Sequence, residues 1–344
     1  MDFAFDEIQD GIRGLCKQVF TEQVTEESLR AIGSDWFHAK AWKSLAQAQV
    51  LGLALKEDVG GAGLGLLELC LLLQQVGRTV APVPALSTLV LGALPVDQFA
   101  CDETRRRLLP GVIAGEAFLT GALETDAEVR GGKLYGEAHF VPDTHLATHV
   151  VVATPQGLFL TEVGEREIQW ATNDEPLALL RFDGAEGELI AEGPAPVEWM
   201  RQRGVLAHCA IMLGVAERAM ILTANYVTER QQFGVAIGTF QAVSQRAGDM
   251  YIDATVMRSS LWNAAWRIDE DRDPARALCI ARFWASQGGH RIVAAAQHLH
   301  GGMGFDRDYA LHRYFLWSKR LEFSLGGSSA QLAQLGDLIA QGTA

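Results

Sequence analysis

The chain has 344 residues, 49% of them hydrophobic and 21% charged, with a formal net charge of -13. That size and apolar content suit a globular protein of two or three domains. The acidic balance argues against nucleic acid or an anionic membrane as the main partner, because phosphate-rich surfaces are bound through basic ones.

From the start to residue 113 the hydropathy period is helical. Leu64–Val76 is apolar on nearly all sides and reads as a buried helix, preceded by Gly60, Gly61 and Gly63 and followed by Pro82 and Pro84. Between 114 and 195 short β-type runs take over: Lys133–Val141, His149–Thr154, Leu158–Val163 and Ala178–Phe182. Val150–Thr154 and Leu158–Leu160, joined through Pro155-Gln156-Gly157, read as a hairpin. From 196 to 344 long helical segments return at Ala207–Thr228, Thr239–Ile268, Pro274–Leu299 and Ala310–Phe323, which predicts a four-helix bundle. The expected fold is α+β, with a helical domain (1–113), a small β-domain (114–195) and a helical bundle (196–344).

The five cysteines, Cys16, Cys70, Cys101, Cys209 and Cys279, are scattered and odd in number. They read as buried free thiols, neither a disulfide framework nor a metal site, and no metal is expected. The first residues, MDFAFDEIQDGIRG, are acidic where an export signal is basic. Apolar stretches such as Leu64–Leu73 and Val205–Ala216 are broken by Glu68 and His208, short of the roughly 20 residues that span a bilayer. A cytoplasmic protein without a membrane partner is the expectation.

Two local motifs could carry chemistry. In the first, Arg230, Phe233, Gly234, Gly238, Phe240 and Gln241 mark the exit from one long helix and the entry to the next. Taken alone, this is a capped turn with a surface arginine. In the second, His298-Leu299-His300-Gly301-Gly302-Met303-Gly304-Phe305, the glycines let backbone approach another group closely, a diphosphate included.

Together, in this order and spacing, the two motifs resemble the acyl-CoA dehydrogenase family. Lys56–Gly65 is similar to that family's segment of paired acids and glycines, and the likeness runs on through Leu180–Gly184 and Arg307–Gly327. The resemblance implies FAD at a subunit interface, with these motifs serving a flavin held mainly by the neighbouring subunit. Arg230 would face the diphosphate, Phe233 and Gln241 the adenosine side, and Gly301 and Gly302 would bring backbone to the diphosphate. The family's usual glutamine falls on His298.

The family removes the α-proton of an acyl-CoA thioester with a carboxylate while the β-hydrogen leaves as hydride. Here the usual base position reads Leu325, and the alternative position used by some relatives falls at or beside Gly204. The nearest carboxylates in sequence are Glu322 and Glu198. In the β-domain, Leu119–Asp126 lacks the family's flavin-holding pattern, and His139–Asp143 replaces its tryptophan-and-threonine strand, with Pro142 lacking an N–H.

The half of the site a subunit uses for its own flavin is therefore altered, and the half it lends is kept. This pattern resembles the short subunit of bacterial heteromeric dehydrogenases acting on steroid or bile-acid side chains. It implies a catalytic acyl-CoA dehydrogenase-like partner, two of each, with an acyl-CoA substrate and electron-transfer flavoprotein as acceptor. The alternatives are a stand-alone homo-oligomeric enzyme with Glu322 as a relocated base, and a non-enzymatic binding protein of the same fold.

Overall fold

A computed structural model describes residues 4–342 and divides them into two compact units. The first holds Ala4–Leu72 and Ala81–Ala207, and the second holds Leu73–Val80 and residues 208–342.

The first unit opens with helices α1 (Glu7–Gln23), α2 (Glu26–Ile32), α3 (Ala39–Gln47), α4 (Leu66–Thr79), α5 (Leu94–Phe99) and α6 (Asp102–Ile113). Capping boxes at Asp6 and Thr25 satisfy the first free amides of α1 and α2. α4 lies on the predicted apolar run. Between α4 and α5, unanticipated from the hydropathy pattern, lies a π-helix over Ala85–Ala93 that is buried almost throughout. Such helices are rare because their hydrogen-bond geometry is poor, and here tertiary contacts hold it: Thr88 Oγ1 donates to the Leu119 carbonyl at 2.9 Å, and Ser87 Oγ to Asp143 at 2.5 Å.

A buried arginine fastens the glycine-rich loop of this unit. Arg105 donates to Asp97 (2.9 Å), Asp58 (2.6 Å) and Asp102 (3.1 Å), while the Lys56 amide donates to Asp97 at 3.0 Å. The Arg105 guanidinium holds the Asp58 carboxyl below the usual carboxylate range.

The strands are β1 (Leu119–Ala122), β2 (Glu124–Thr125), β3 (Glu128–Arg130), β4 (Lys133–Pro142), β5 (His149–Thr154), β6 (Gly157–Glu162), β7 (Glu165–Trp170), β8 (Pro176–Ala185) and β9 (Gly187–Glu192). One sheet runs β1-β5-β6-β9, with β1 and β5 parallel; the other runs β2-β4-β8-β7, with β3 also on β4. A core of Ala138, Val150, Val152, Phe159, Leu180 and neighbours draws side chains from both sheets. The expected hairpin forms, closing at Thr154 and Gly157. Gly157 is obligatory: its φ is +138°, and a Cβ there would stand 2.0 Å from the Ala191 carbonyl.

α7 (Pro194–Glu229) starts well before Ala207, because Pro194 and Pro196 suit a first helical turn and the charged stretch Arg201–Arg203 masks the period. Its most apolar 18-residue window has a mean hydropathy of 1.7, so the helix is long and apolar enough to cross a membrane, contrary to the reading from Val205–Ala216 alone. The window is 78% buried inside the protein, as in a core helix.

In the second unit a small hairpin, β10 (Gln231–Gln232) and β11 (Val235–Ala236), follows α7. Then come α8 (Gln241–Asp269), α9 (Ala275–His300), α10 (Leu311–Phe323) and α11 (Ser328–Ala340). The four expected helices form, and α11 adds a fifth that packs on α9. The end of α4 crosses α7 at backbone contact: a Cβ on Gly77 would meet the Ile211 carbonyl at 1.9 Å, and one on Gly214 the Gln74 carbonyl at 2.0 Å. Beside the crossing, buried Glu217 accepts from Gln74 (2.9 Å), Arg78 (3.2 Å) and Arg258 (2.7 Å). These donors compensate a carboxylate taken out of water. All five cysteines are free. Four are buried as expected, but Cys101 is exposed just ahead of α6.

Candidate functional site

α7 ends with the Arg230 amide donating to the Tyr226 carbonyl at 2.8 Å. The chain then folds back through β10 and β11, pairing Gln231 with Ala236 and Gln232 with Val235. The two loop residues, Phe233 and Gly234, have φ of +55° and +80°, the pair of positive values that a type I′ turn requires. Glycine takes this conformation freely, but a phenylalanine is strained in it. Phe233 is nonetheless 93% exposed, with the Phe240 ring edge-on to it at a centroid separation of 6.2 Å. A strained aromatic standing in solvent does nothing for the packing of its own chain. The Arg230 side chain is exposed and has no hydrogen bond or ion pair with any described residue, and Gln241 is exposed in the first turn of α8.

α9 ends at His300, and Gly301 leaves it at φ +57°. At both Gly301 and Gly302 the space where a Cβ would stand is open for 4 Å, so the backbone is bare to an incoming group. His298 is exposed, whereas the neighbouring Gln297 is buried and donates to the Gly304 carbonyl at 2.6 Å. Gln297 therefore braces the turn, and His298 is the side chain left facing outward.

A contact absent from the sequence reading joins the two motifs. Tyr226, one helical turn before Arg230, stacks on His300, immediately before Gly301, with centroids 4.3 Å apart and planes 25° from parallel. His300 in turn meets the Tyr309 hydroxyl at 3.0 Å. Tyrosine four residues ahead of Arg230 and histidine directly ahead of the glycines were the available signals.

Neither base position holds an acid. Leu325 lies after α10 at φ +51°, followed by Gly326 at +86°. This turn is fixed from below by Arg282, which is fully buried and donates to the carbonyls of Leu321 (2.8 Å), Glu322 (3.2 Å) and Ser324. These carbonyls lie at the negative end of α10, so a buried cation is well placed there. The Glu322 carboxylate accepts from Lys319 Nζ at 2.7 Å and lies 3.3 Å from His290 Nδ1. Gly204 is buried within α7, and Glu198 is exposed, 3.7 Å from Arg201.

Comparison with known proteins shows the family. Residues 6–116 match the model of the acyl-CoA dehydrogenase N-terminal domain, and residues 197–339 that of the C-terminal domain. Acyl-CoA dehydrogenase FadE27 of Mycobacterium tuberculosis is 32% identical over 99% of both chains. The chain belongs to the acyl-CoA dehydrogenase family. Among solved structures similar to it, a variant of the Tcur3481–Tcur3483 steroid ACAD superposes with TM-score 0.92 at 41% identity, covering 98% of this chain and 99% of that one. The ChsE4–ChsE5 complex of Mycobacterium tuberculosis superposes with TM-score 0.92 at 32% identity over 99% of both.

Acyl-CoA dehydrogenases are flavin-dependent oxidoreductases, and the outward edge fits such a cofactor: a cation without a partner, bare glycine backbone and an exposed aromatic match a diphosphate and a planar ring. In the β-domain, the β1 segment is filled by its own chain. Leu119, Thr120 and Ala122 are at most 1% exposed, and the Thr120 hydroxyl is committed to the Pro142 carbonyl at 2.7 Å. A Cβ on Gly121 would stand 2.5 Å from both the Leu91 carbonyl and Met200 Cε. Between Ala138 and Val141 the pairing of β4 shifts at a bulge that holds Phe140 at φ +54° and 59% exposure.

Proposed function

We propose that this chain is the companion subunit of a heteromeric acyl-CoA dehydrogenase, completing the FAD site of a catalytic paralogue. The observation that carries the reading is the asymmetry between an outward edge, where Arg230 has no partner among the described residues, Phe233 stands in solvent and Gly301 and Gly302 are open, and a β1 segment filled by its own chain. Such an edge is built for a cofactor bound on another subunit.

Arg230 would pair with the diphosphate, and the Gly301 and Gly302 backbone would approach it closely. Phe233 and Gln241 would lie against the adenosine side, with His298 beside them. The FAD held there would supply the acceptor for the hydride that leaves the β-carbon. The residues of this chain orient the cofactor and keep water from its diphosphate. The carboxylate that removes the α-proton, and most of the acyl-CoA pocket, come from the partner, since Leu325 and Gly204 stand at the two base positions. Two copies of each subunit, an acyl-CoA of steroid side-chain type, electron-transfer flavoprotein as acceptor and a cytoplasmic setting complete the proposal. The likeness to the Tcur3481–Tcur3483 steroid ACAD and the ChsE4–ChsE5 complex supports it.

The test is flavin content per chain, read by absorbance after denaturation, for the protein alone and for the protein co-expressed with a dehydrogenase-like subunit. Flavin and acyl-CoA dehydrogenation only in the co-purified complex is the expected result. Near-stoichiometric flavin in the lone protein would overturn the reading.

A further inference from the structure

We propose that His300 is a positioning residue for the lent cofactor edge: clamped between Tyr226 and Tyr309, it keeps the Gly301–Gly302 turn and the Arg230 hairpin in register. The inference rests on the companion-subunit reading and goes beyond it, because His300 is buried and belongs to none of the groups that would reach the cofactor.

The hydrogen bonds define the ring. His300 Nδ1 lies 2.8 Å from the Ala296 carbonyl, which can only accept, so Nδ1 carries the hydrogen. Nε2 is then the acceptor for the Tyr309 hydroxyl at 3.0 Å. The groups facing this arrangement are the Tyr226 and Tyr309 rings, with Glu229 and Arg218 beyond Tyr309. Burial lowers the His300 pKa and raises that of Tyr309, so the acceptor and the donor both persist at neutral pH.

Two of the clamp's contacts, the Ala296 hydrogen bond and the Tyr226 stack, end on the helices that lead into the edge, α9 and α7, while the Tyr309 bond ties the ring to the turn before α10. The Tyr226 ring belongs to the turn of α7 whose carbonyl receives the Arg230 amide, and its hydroxyl points at the His300 carbonyl at 3.5 Å. A helix-terminal glycine with positive φ, such as Gly301, has wide backbone freedom of its own. His300 removes that freedom where a diphosphate would need fixed donors, and a shift of its ring displaces both motifs together.

The test uses the full chain in complex with its dehydrogenase partner, stripped of flavin and titrated with FAD, with the thermal midpoint of the stripped complex as a fold control. His300→Phe keeps a stacking ring and removes both hydrogen bonds. Tyr309→Phe removes one hydroxyl. We expect His300→Phe to weaken FAD binding about tenfold and Tyr309→Phe about threefold, in line with a net hydrogen-bond contribution near 1 kcal/mol. The double variant should be no weaker than His300→Phe alone, because the two residues act as one unit. Midpoints should stay within about two degrees of the parent.

FAD affinity within twofold of the parent in both single variants, or additive losses in the double variant, overturns the inference. Arg230→Ala separates its failure from that of the reading beneath it. If Arg230→Ala weakens FAD binding while the other two do not, only the positioning role fails; if none of the three matters, the companion-subunit reading fails with it. Should His300→Phe not assemble, Tyr309→Phe decides alone, and parent-like affinity there overturns the proposal.

Discussion

Lys319 Nζ donates to Glu322 Oε2 across one turn of α10 at 2.7 Å, and the same ammonium reaches His290 Nδ1 at 2.5 Å. The carboxylate closest in sequence to Leu325 is thus engaged within its own helix, with Oε2 taken by the Lys319 ammonium and lying 3.3 Å from His290 Nδ1. Glu322→Gln should leave the turnover of the complex within about twofold, whereas loss of a true general base costs about 10²–10⁴-fold. Steady-state dehydrogenation by co-purified complexes decides this.

Arg230 has an exposed guanidinium and no ion pair with any described residue. Arg230→Ala should weaken FAD binding to the complex by about 10- to 100-fold, the range expected for a hydrogen bond to a charged group. Arg230→Lys keeps the charge and loses the two-pronged geometry, so its affinity should fall between the two. Titration of stripped complex with FAD measures both.

Phe233→Asn replaces a strained residue with one that tolerates positive φ ahead of Gly234. The thermal midpoint of the chain should hold or rise, since relief of a left-handed non-glycine conformation is worth about 1 kcal/mol. FAD affinity of the complex should fall by about three- to tenfold with the lost aromatic contact. Opposite movement of the two quantities is the signature of a residue kept for a ligand.

Glu217 is 6% exposed and gathers Gln74, Arg78 and Arg258. Glu217→Ala leaves these donors unpaired and should destabilise the fold by about 3 kcal/mol. Glu217→Gln keeps the shape and one acceptor, so its loss should be smaller. Urea unfolding gives both values.

The Asp58 carboxyl is held below its usual range by Arg105. A depressed carboxyl pKa stabilises the folded state above the unfolded value, near pH 4, and the gain is lost as pH falls through the folded value. Asp58→Asn should therefore flatten the fall in stability below about pH 4 and leave the basic side unchanged. Denaturant unfolding at stepped pH tests the slope.

Much of the fold was legible where period and boundary residues agreed. His149–Thr154 forms β5 as read, and α8, α9 and α10 begin and end within two residues of their hydropathy limits. β7 escaped because all six residues are exposed at a sheet edge, so no alternation marks it. The π-helix escaped because Ala85–Ala93 is buried on nearly every side and its form is set by packing on β1, which leaves no periodic trace. Within the candidate site, the glycines and Arg230 were readable as a pattern. The stack of Tyr226 on His300 was not, since it joins residues 74 positions apart.

The hairpin tip also bears on how such a subunit is made. On the companion-subunit reading, a copy without its partner carries Phe233 uncovered at the tip of its hairpin, 93% exposed. With Val235 and Phe240 also exposed beside it, the uncovered tip offers an apolar patch that invites aggregation and capture by chaperones and proteases. Surplus copies would be removed, so cells gain nothing by overproducing one chain, and the dosage of the two genes stays matched.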